Sequence, residues 1–421
     1  MSLTYPDPSL LKELAGEYGT PLMVYDEDAI RQTMRAYTEN FRSDIFETAV
    51  LYASKAFLCT AIAGIAMEEG LHFDAVSGGE IYCLAKAGAS AERIHFHGNN
   101  KTPGEIEDFF RLGHGHIIVD NEDELKLVRS IANSLKQPMD ILIRLNPGVE
   151  AHTHEYIATA TKDSKFGISI DKTDAIISMV NIIEACPYLT FAGFHSHIGS
   201  QILESEAFAM EIRVMFEFIG MMHDRHGIDV RDLDLGGGFA IRYTHEDNPP
   251  STESVCRRII SLCEEEVTRR NLPLKRLMIE PGRSIVGDSG YTLYTAGCRK
   301  STDSREYVFI DGGMADNIRP ALYEAEYTCR NITRNDEAPD RTYTLAGKCC
   351  ESGDILIKEA RLPETFPGDL LLVHATGAYG YSMASNYNRL GRPPVVFING
   401  SSHRLVLRRE TYEDMMNLDV E

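Results

Sequence analysis

The feature that most constrains the fold is a repeated alternation of short apolar runs and amphipathic stretches between about residues 45 and 285. Eight of the apolar runs have the β-branched and aromatic character of strands, and helical spacing marks the stretches between them. Alternating strands and helices imply parallel strands, and eight such units close a barrel. The pattern therefore predicts an α/β fold with a (β/α)8 TIM-type barrel. The predicted strands are AVLYASKA, LHFDAVS, RIHFHGN, HIIVD, DILIRLN, TFAGFHSH, DLDLGGG and RLMIEPG.

The pattern changes after residue 284, where helical spacing gives way to short strand-like runs separated by turn residues. These runs predict an all-β second domain at 285–421, after a barrel at 36–284. Residues 1–35 precede the barrel, and we expect this N-terminal segment to pack with the β domain. The predicted strands of the second domain are YTLYTAG, EYVFIDGG, RTYTLAG, DILIKEA, DLLLVHAT, PVVFING and HRLVLRR.

Composition excludes several classes of partner. The formal net charge of −21 and the lack of a basic block argue against nucleic-acid binding. No apolar run reaches the length of about 18–20 residues that a membrane span needs, and the first residues do not resemble a signal peptide. Nine scattered cysteines without a CxxC pair fit reduced thiols and no zinc site. We therefore expect a cytoplasmic protein with no metal ion.

Polar residues stand at the carboxyl end of every predicted barrel strand. In a barrel these ends open onto one face, where active sites form. Polar strand-to-helix turns are common everywhere, which explains serine, asparagine and glycine better than it explains a lysine, two histidines, an arginine and several carboxylates. The residues at these ends are Lys55, Ser77 with Glu80, His97 with Asn99, Asp120, Arg144, His197, Gly236–Gly238 and Glu280.

Glycines after the seventh and eighth strands predict a phosphate site. Gly237 and Gly238 would let backbone N–H groups approach an anion without Cβ atoms in the way. Barrels often hold a phosphate near these two strands. The segment EPGR after the eighth strand adds Gly282 and Arg283.

A phosphate site together with a lysine at a strand end suggests pyridoxal phosphate. Lys55 would form the Schiff base, which needs a neutral amine. Glu280 would face the pyridine nitrogen and keep it protonated, which makes the ring a strong electron sink. His197 could stack on the ring, although a core histidine bonded to backbone is the commoner arrangement.

An ordered series of motifs then gives the chain a family resemblance. The series is YASKAF, FDAVSGGE, HFHGNNKT, HSHIGSQI, LDLGGGF, EPGRS, DGGMADNIRPALY, CESGD and GAYGYSMASNYN. It resembles the diaminopimelate decarboxylase family, which belongs to the fold type III, alanine-racemase-like group of pyridoxal-phosphate enzymes. The resemblance runs from about residue 20 to 400. It implies decarboxylation of meso-2,6-diaminopimelate to L-lysine and carbon dioxide, the last step of lysine biosynthesis, by a homodimer with shared active sites.

The resemblance also implies roles for individual residues. Lys55 would carry the cofactor, His197 would stack on it, and Ser200 would help to bind the phosphate. Tyr379 would reach both cofactor and substrate. The implied cofactor-binding residues are Lys55, His197, Ser200, Gly237, Gly238, Glu280, Gly282, Arg283 and Tyr379.

Further residues would act on the substrate. Arg283, Arg319 and Tyr323 would hold its distal end, since arginine pairs with carboxylates in a bidentate geometry. Cys350 and Glu351 would come from a second subunit, with Cys350 as proton donor to Cα and Glu351 as partner of the distal ammonium. From the residues alone, Arg319 and Tyr323 fit an ordinary helical face, and Cys350 could equally be a structural thiol.

Three other functions share some of these features. A related decarboxylase of ornithine, arginine or carboxynorspermidine would keep the fold and change the substrate, but Glu351 and the Arg319–Tyr323 pair argue against the first two. A racemase would avoid the electron sink that Glu280 creates. A non-catalytic homologue should have lost Lys55, Glu280 or Cys350, and all three are present.

The segment HTHEYIATATKDSKFGI, residues 152–168, fits a long loop over the barrel mouth. We predict that it is a lid that excludes water from the site. His152 and His154 have a spacing that metal ligands can show, but no third ligand is evident. They are therefore interpreted as solvent-facing or lid-packing residues.

Overall fold

The structure of the chain is a computed structural model that describes residues 5–149 and 164–420. The strands are β1 (Leu22–Asp26), β2 (Glu47–Ala53), β3 (His72–Ala75), β4 (Ile94–Phe96), β5 (His116–Val119), β6 (Met139–Asn146), β7 (Ile168–Ser169), β8 (Leu189–Ser196), β9 (Asp232–Asp234), β10 (Arg276–Ile279), β11 (Gly290–Ser301), β12 (Glu306–Ile310), β13 (Cys329–Asn331), β14 (Arg341–Ala346), β15 (Ile355–Leu362), β16 (Leu370–Val373), β17 (Val395–Asn399) and β18 (Ser402–Leu407). The helices are α1 (Pro8–Tyr18), α2 (Glu27–Asn40), α3 (Thr60–Glu68), α4 (Gly78–Ala87), α5 (Pro103–Leu112), α6 (Glu122–Leu135), α7 (Thr173–Glu184), α8 (Ser205–His226), α9 (Thr252–Arg270), α10 (Arg283–Val286), α11 (Arg319–Tyr323) and α12 (Tyr412–Met416). Among these helices, none is both long and apolar enough to cross a bilayer.

The chain divides into two compact units, here called the barrel unit and the second unit. The barrel unit comprises the described residues of Arg31–Ala240 and Pro249–Ser284. The second unit comprises residues 5–30, Ile241–Asn248 and residues 285–420. The stretch Ile241–Asn248 falls inside the range 36–284 that the sequence pattern assigned to the barrel. It groups with the second unit because Ile241 and Tyr243 are buried in that unit's core.

Eight parallel strands close the barrel. Their order around it is β2, β3, β4, β5, β6, β8, β9 and β10. The closing pair, β10 with β2, places Ile279 beside Val50. Each strand is followed by a helix, except that the short β7 pairs with β6 before α7. All eight predicted runs are barrel strands, so the predicted fold class is confirmed.

Side chains fill the barrel, so its chemistry must lie at the ends of the strands. One buried interior cluster is formed by Leu51, Ile118, Leu142, Ala192 and Met278, which come from five different strands. An interior packed in this way is a core and not a pore. The carboxyl ends of the strands therefore carry the groups that a ligand can reach.

Some of the polar residues at these ends serve the fold. The Ser77 Oγ accepts a hydrogen bond from the Glu80 N–H at 3.3 Å and caps α4. Such a cap satisfies one of the unpaired N–H groups at a helix start. Asp120 Oδ1 accepts a hydrogen bond from the Gly167 N–H at 2.9 Å. Ser77 and Asp120 thus have structural partners.

The second unit is built around a nine-stranded sheet. Its main path is β15, β14, β12, β11, β1, β17 and β18, and β16 pairs with both β11 and β13. Each of the seven predicted runs overlaps one of these strands. The sequence pattern missed β1 and β13, which are short and lie outside the predicted runs. β1 joins the sheet between β11, to which it is antiparallel, and β17, to which it is parallel.

A stack of buried histidines lies among the barrel strands. The rings of His95 and His116 are parallel, with centroids 4.2 Å apart, and His72 is 6.1 Å from His95. Burial lowers the pKa of His72 to about 4 and that of His116 to about 3, and it holds the pKa of His95 well below its usual range. Nearby Arg276 adds to each effect. The three rings are therefore neutral in the folded protein.

This histidine stack predicts a loss of stability on acidification. Because the folded pKa values are depressed, the unfolded chain takes up protons first as the pH falls from about 6.5 towards 4, and the free energy of unfolding decreases. The variant His116→Gln keeps an acceptor for Arg276. We expect its melting temperature to fall less between about pH 7.5 and pH 5 than that of the wild-type protein. Melting curves at the two pH values measure this difference. Equal falls in melting temperature in the two proteins would contradict a neutral, buried His116.

Candidate active site

Lys55 lies immediately beyond β2, in a single helical turn formed by residues Ser54–Ala56. Its side chain is 40% exposed, and its Nζ donates a hydrogen bond to Asp74 Oδ2 at 2.8 Å. Asp74 lies in β3 and is buried. A carboxylate at this position compensates for the cost of bringing a lysine to the end of a buried strand. The amine thus remains accessible at the carboxyl ends of the strands.

Glu280 follows β10 directly and is 5% exposed. Its Oε1 lies 2.8 Å from His97 Nε2, and its Oε2 lies 3.5 Å from His195 Nε2. Burial alone would raise the pKa of Glu280, but the two imidazoles hold it well below its usual range. Glu280 is therefore a buried carboxylate held between two histidines.

Asp234, the last residue of β9, is a second buried carboxyl beside Glu280. Its Oδ1 accepts a hydrogen bond from the Gly236 N–H at 2.9 Å. Burial, reinforced by the charge of Glu280, raises the pKa of Asp234 well above its usual range. Two carboxyl groups this close do not both ionise readily. We therefore read Asp234 as neutral and Glu280 as charged.

His197 follows β8 and is fixed by the glycine run. The Gly237 N–H donates a hydrogen bond to His197 Nδ1 at 3.2 Å. Burial, with Lys55 and Arg144 nearby, holds the pKa of His197 well below its usual range. Both observations favour a neutral ring with its proton on Nε2.

The glycines form a close-packed backbone at the strand ends. A Cβ at Gly237 would lie 2.2 Å from the Glu280 carbonyl oxygen. Gly238 has φ +105°, and a Cβ there would lie 2.4 Å from the Gly199 carbonyl oxygen. Only glycine fits these two positions. The backbone can therefore approach a ligand where a side chain would intrude.

Arg283 and Ser200 meet near the same strand ends. Arg283 Nη2 donates a hydrogen bond to Ser200 Oγ at 2.8 Å. Gly282, the preceding residue, packs against Ala53 so closely that a Cβ would lie 2.7 Å from the Ala53 Cβ. A guanidinium and a hydroxyl side by side are suitable donors for a phosphate.

Arg319 and the other predicted substrate residues apart from Arg283 lie in the second unit. Arg319 begins α11 and is 6% exposed. Its Nη1 donates hydrogen bonds to the hydroxyl oxygens of Tyr243, at 3.1 Å, and Tyr327. The guanidinium also lies over both tyrosine rings. Tyr323 ends the same helix.

The CESGD motif forms an exposed loop between β14 and β15. Cys350 and Glu351 are exposed, whereas Cys349 is buried. The Cys350 N–H donates a hydrogen bond to Asn388 Oδ1 at 2.8 Å, which fixes the loop backbone. Tyr379 has φ +63°, an uncommon backbone conformation for a side chain of this size.

In the barrel unit, the structure brings together most of the residues predicted from the strand ends. The group at the carboxyl ends comprises Lys55, His97, Arg144, His197, Ser200, Gly237, Gly238, Glu280, Gly282 and Arg283. Asp74, His195 and Asp234 also belong to this group, and the sequence pattern did not predict them as site residues. A signal existed for the two aspartates, since a charged residue within a buried strand requires a partner. His152 and His154 and most of the predicted lid lie outside the described residues.

Three groups at this site also have the spacing of metal ligands. One ligand-type atom each from His97, His195 and Glu280 lies within 4.8 Å of the other two, and all three residues are buried. The cysteine and histidine spacing in the sequence predicts no metal ion. The same spacing suits two imidazoles that orient one carboxylate.

Comparison with known proteins assigns the chain to a family. Residues 27–287 match the family described as pyridoxal-dependent decarboxylase, pyridoxal binding domain. The chain is 46% identical over 408 residues to a diaminopimelate decarboxylase of Bacillus subtilis, covering 97% of this chain and 93% of the relative. It is 42% identical over 420 residues to a diaminopimelate decarboxylase of Mycobacterium tuberculosis, with 97% and 93% covered.

Solved structures agree with this assignment. The fold is similar to diaminopimelate decarboxylase from M. jannaschii in complex with L-lysine, with a TM-score of 0.90 and 33% identity over 97% of this chain and 94% of that one. The Helicobacter pylori enzyme complexed with L-lysine gives a TM-score of 0.87 and 32% identity over 97% and 98%. A lysine/ornithine decarboxylase from Vibrio vulnificus shares the fold, with a TM-score of 0.79 at 22% identity.

Proposed function

Because the chain belongs to the diaminopimelate decarboxylase family of pyridoxal-dependent decarboxylases, we propose that it converts meso-2,6-diaminopimelate to L-lysine and carbon dioxide. The observation that carries this proposal is the pairing of an accessible amine and a buried carboxylate at one end of the barrel. Lys55 supplies the amine, and Glu280 supplies the carboxylate. This reaction would be the last step of lysine biosynthesis.

The residues at the strand ends fit pyridoxal phosphate. Lys55 would hold the cofactor covalently, and Gly237 and Gly238 leave room for a phosphate near the donors of Arg283 and Ser200. The neutral ring of His197 suits stacking on an aromatic face. The wider set of proposed cofactor-binding residues is Lys55, His197, Ser200, Gly237, Gly238, Glu280, Gly282, Arg283 and Tyr379.

The chemistry needs a place for the electron pair that remains at Cα when the carboxylate leaves as carbon dioxide. Bound pyridoxal phosphate supplies this electron sink, most strongly with its ring nitrogen protonated. Glu280, charged and buried, would keep a proton at that nitrogen. Cys350 would then donate its thiol proton to Cα, which gives lysine after release.

Selectivity would come from the distal end of the substrate. Diaminopimelate carries a second amino-acid head, whose carboxylate would pair with Arg283 and Arg319 and whose ammonium would pair with Glu351. Tyr323 and Tyr379 would complete this substrate contact. Lysine and ornithine lack the distal carboxylate, so they would not form the charge-assisted pairs with these two arginines.

We propose that the protein is a homodimer whose partner supplies Cys350 and Glu351. The support is the exposure of both residues in a loop whose backbone is fixed by Asn388. An exposed thiol and carboxylate on an ordered loop are available to a neighbouring copy. In a two-fold dimer each loop would serve the other subunit, which gives two equivalent sites.

A cytoplasmic location is part of the same proposal. All nine cysteines are free thiols, and several of them are buried. Free thiols persist where glutathione and thioredoxin keep proteins reduced.

A competition assay tests the proposed substrate. The protein, loaded with pyridoxal phosphate, is given equal concentrations of meso-2,6-diaminopimelate, ornithine, arginine and carboxynorspermidine. We expect lysine as the main product, with at least about a 100-fold preference in kcat/KM, because only meso-2,6-diaminopimelate would pair its distal carboxylate with the two arginines. Preferred conversion of any of the other three amino acids would support the alternative of a related decarboxylase.

A variant pair ties this preference to the loop. Glu351→Gln should raise KM for meso-2,6-diaminopimelate by about 10-fold or more, because it removes the charge that would meet the distal ammonium. Glu359→Gln, an exposed position on β15, is the matched control and should leave KM unchanged. Equal effects in the two variants would exclude the role proposed for Glu351.

A further inference from the structure

His97 lies at a junction that the proposed mechanism does not use. It follows β4 directly and is 3% exposed. Its Nε2 lies 2.8 Å from Glu280 Oε1 and 3.9 Å from Asp74 Oδ1. Asp74 accepts a hydrogen bond from Lys55 through its other oxygen. The His97 imidazole therefore lies between two groups. One is Glu280, the carboxylate that would face the ring nitrogen, and the other is the ion pair of Lys55 with Asp74.

Glu280 also has a second imidazole, that of His195, and the carboxyl group of Asp234 as neighbours. His195 Nε2 is farther away, at 3.5 Å from Oε2, and the His195 ring meets the His97 ring edge-on with centroids 4.9 Å apart. Asp234 adds a third buried group and takes a hydrogen bond from the Gly236 N–H. The charge of Arg144 also reaches Glu280 and Asp234. Of the two imidazoles beside Glu280, that of His97 therefore lies closer.

We propose that His97 is a positioning residue that orients Glu280 and, through it, keeps the ring nitrogen of bound pyridoxal phosphate protonated. This inference rests on the proposed function and deepens it. A carboxylate buried without such a partner would tend to take up a proton itself, and it would then no longer stabilise a positive ring nitrogen. His97 touches neither substrate nor cofactor in this account, because it acts through Glu280.

The proposed chemistry favours this role over a metal site. Two imidazoles and one carboxylate could bind a divalent cation such as zinc. However, a metal that shared Glu280 would occupy the carboxylate that the ring nitrogen needs. Metal analysis of the purified protein separates the two: a stoichiometric divalent metal that is lost in His97→Leu would overturn the proposal.

The direct test is the protonation state of the ring nitrogen. The wild-type protein and His97→Leu are loaded with pyridoxal phosphate labelled with ¹⁵N in the ring, and the nitrogen resonance is recorded by NMR. We expect a protonated nitrogen in the wild type and a shift towards the unprotonated position in His97→Leu. The accompanying kcat should fall by about 10- to 100-fold with KM within about twofold, because the contact stabilises charge during the reaction.

Two further variants keep the test decisive. His97→Gln retains an amide donor and should restore part of the resonance position and of kcat. His95→Leu removes an equally buried histidine two residues earlier, which stacks on His116 instead, and it should lower the melting temperature without moving the resonance. If His95→Leu and His97→Leu change the resonance and kcat by the same small amount, the change reflects general destabilisation. That result would overturn the proposed role of His97.

Failure of the proposed function is distinguishable. If the wild-type protein neither holds pyridoxal phosphate nor forms lysine, the function itself is wrong, and this inference falls with it. If the wild type does both and His97→Leu holds the cofactor with an unmoved resonance, only the role of His97 is wrong.

Discussion

Lys55→Ala will abolish decarboxylation and remove the visible absorbance of the cofactor-loaded protein. The amine at the end of β2 is the group that would hold pyridoxal phosphate, and alanine offers no nucleophile. We expect kcat to fall by more than about 1,000-fold, since the residue would act in bonding the cofactor and not only in binding it. Absorbance spectra and lysine formation, measured on the same preparation, give both results.

Two variants separate the chemistry of Lys55 from its ion pair with Asp74. Lys55→Arg keeps a positive charge beside Asp74 and should preserve stability, yet it should be as inactive as alanine. Lys86→Ala removes an exposed lysine on α4 and should keep full activity. Substantial lysine production by Lys55→Arg would contradict a covalent role for this amine.

Cys350→Ala should reduce kcat by about 100- to 10,000-fold, the range expected when a general acid is removed. The neighbouring Cys349 is a natural control. It is buried, and burial together with Asp354 raises the pKa of its thiol to about 11, so it stays protonated and structural. Cys349→Ala should therefore change stability more than kcat. Equal losses of kcat in the two variants would argue against Cys350 as the donor.

Mixing two inactive proteins extends this test to the dimer. If the partner supplies Cys350, a hybrid of Lys55→Ala and Cys350→Ala subunits contains one site with both residues intact. Random exchange of equal amounts makes half of the dimers hybrid, which should restore about a quarter of the wild-type activity. No recovery after demonstrated subunit exchange would contradict shared sites.

The architecture could be predicted from the sequence where the local hydrophobic pattern of a segment is enough to identify its element. Each barrel strand is a short apolar run with a helix after it, so period and length identify it without knowledge of its neighbours. β1 gave no such signal. It is a five-residue strand between two helices, and its partners β11 and β17 are far away in the chain. The segment Ile241–Asn248 was likewise ambiguous, because its burial depends on residues of the second unit.

The candidate site was predicted in part for a similar reason. Lys55, His197 and Glu280 stand at strand ends, where the barrel topology alone implies that they converge. The contacts of those residues could not be predicted, because they depend on rotamers and on distances of a few tenths of an ångström. The placement of His97 Nε2 at 2.8 Å from Glu280 Oε1 is such a contact. For Asp74, the sequence indicated only that a charged residue lies inside a predicted strand and so needs a partner.

The most direct test of the central claim is a single reaction with labelled substrate. The protein, loaded with pyridoxal phosphate, is incubated with meso-2,6-diaminopimelate carrying ¹³C in the carboxylate of its D-configured centre. We predict one equivalent of L-lysine without the label and one equivalent of labelled carbon dioxide for each substrate consumed. Loaded protein that leaves the substrate intact, or that returns an isomer of diaminopimelate with the label retained, would contradict the account.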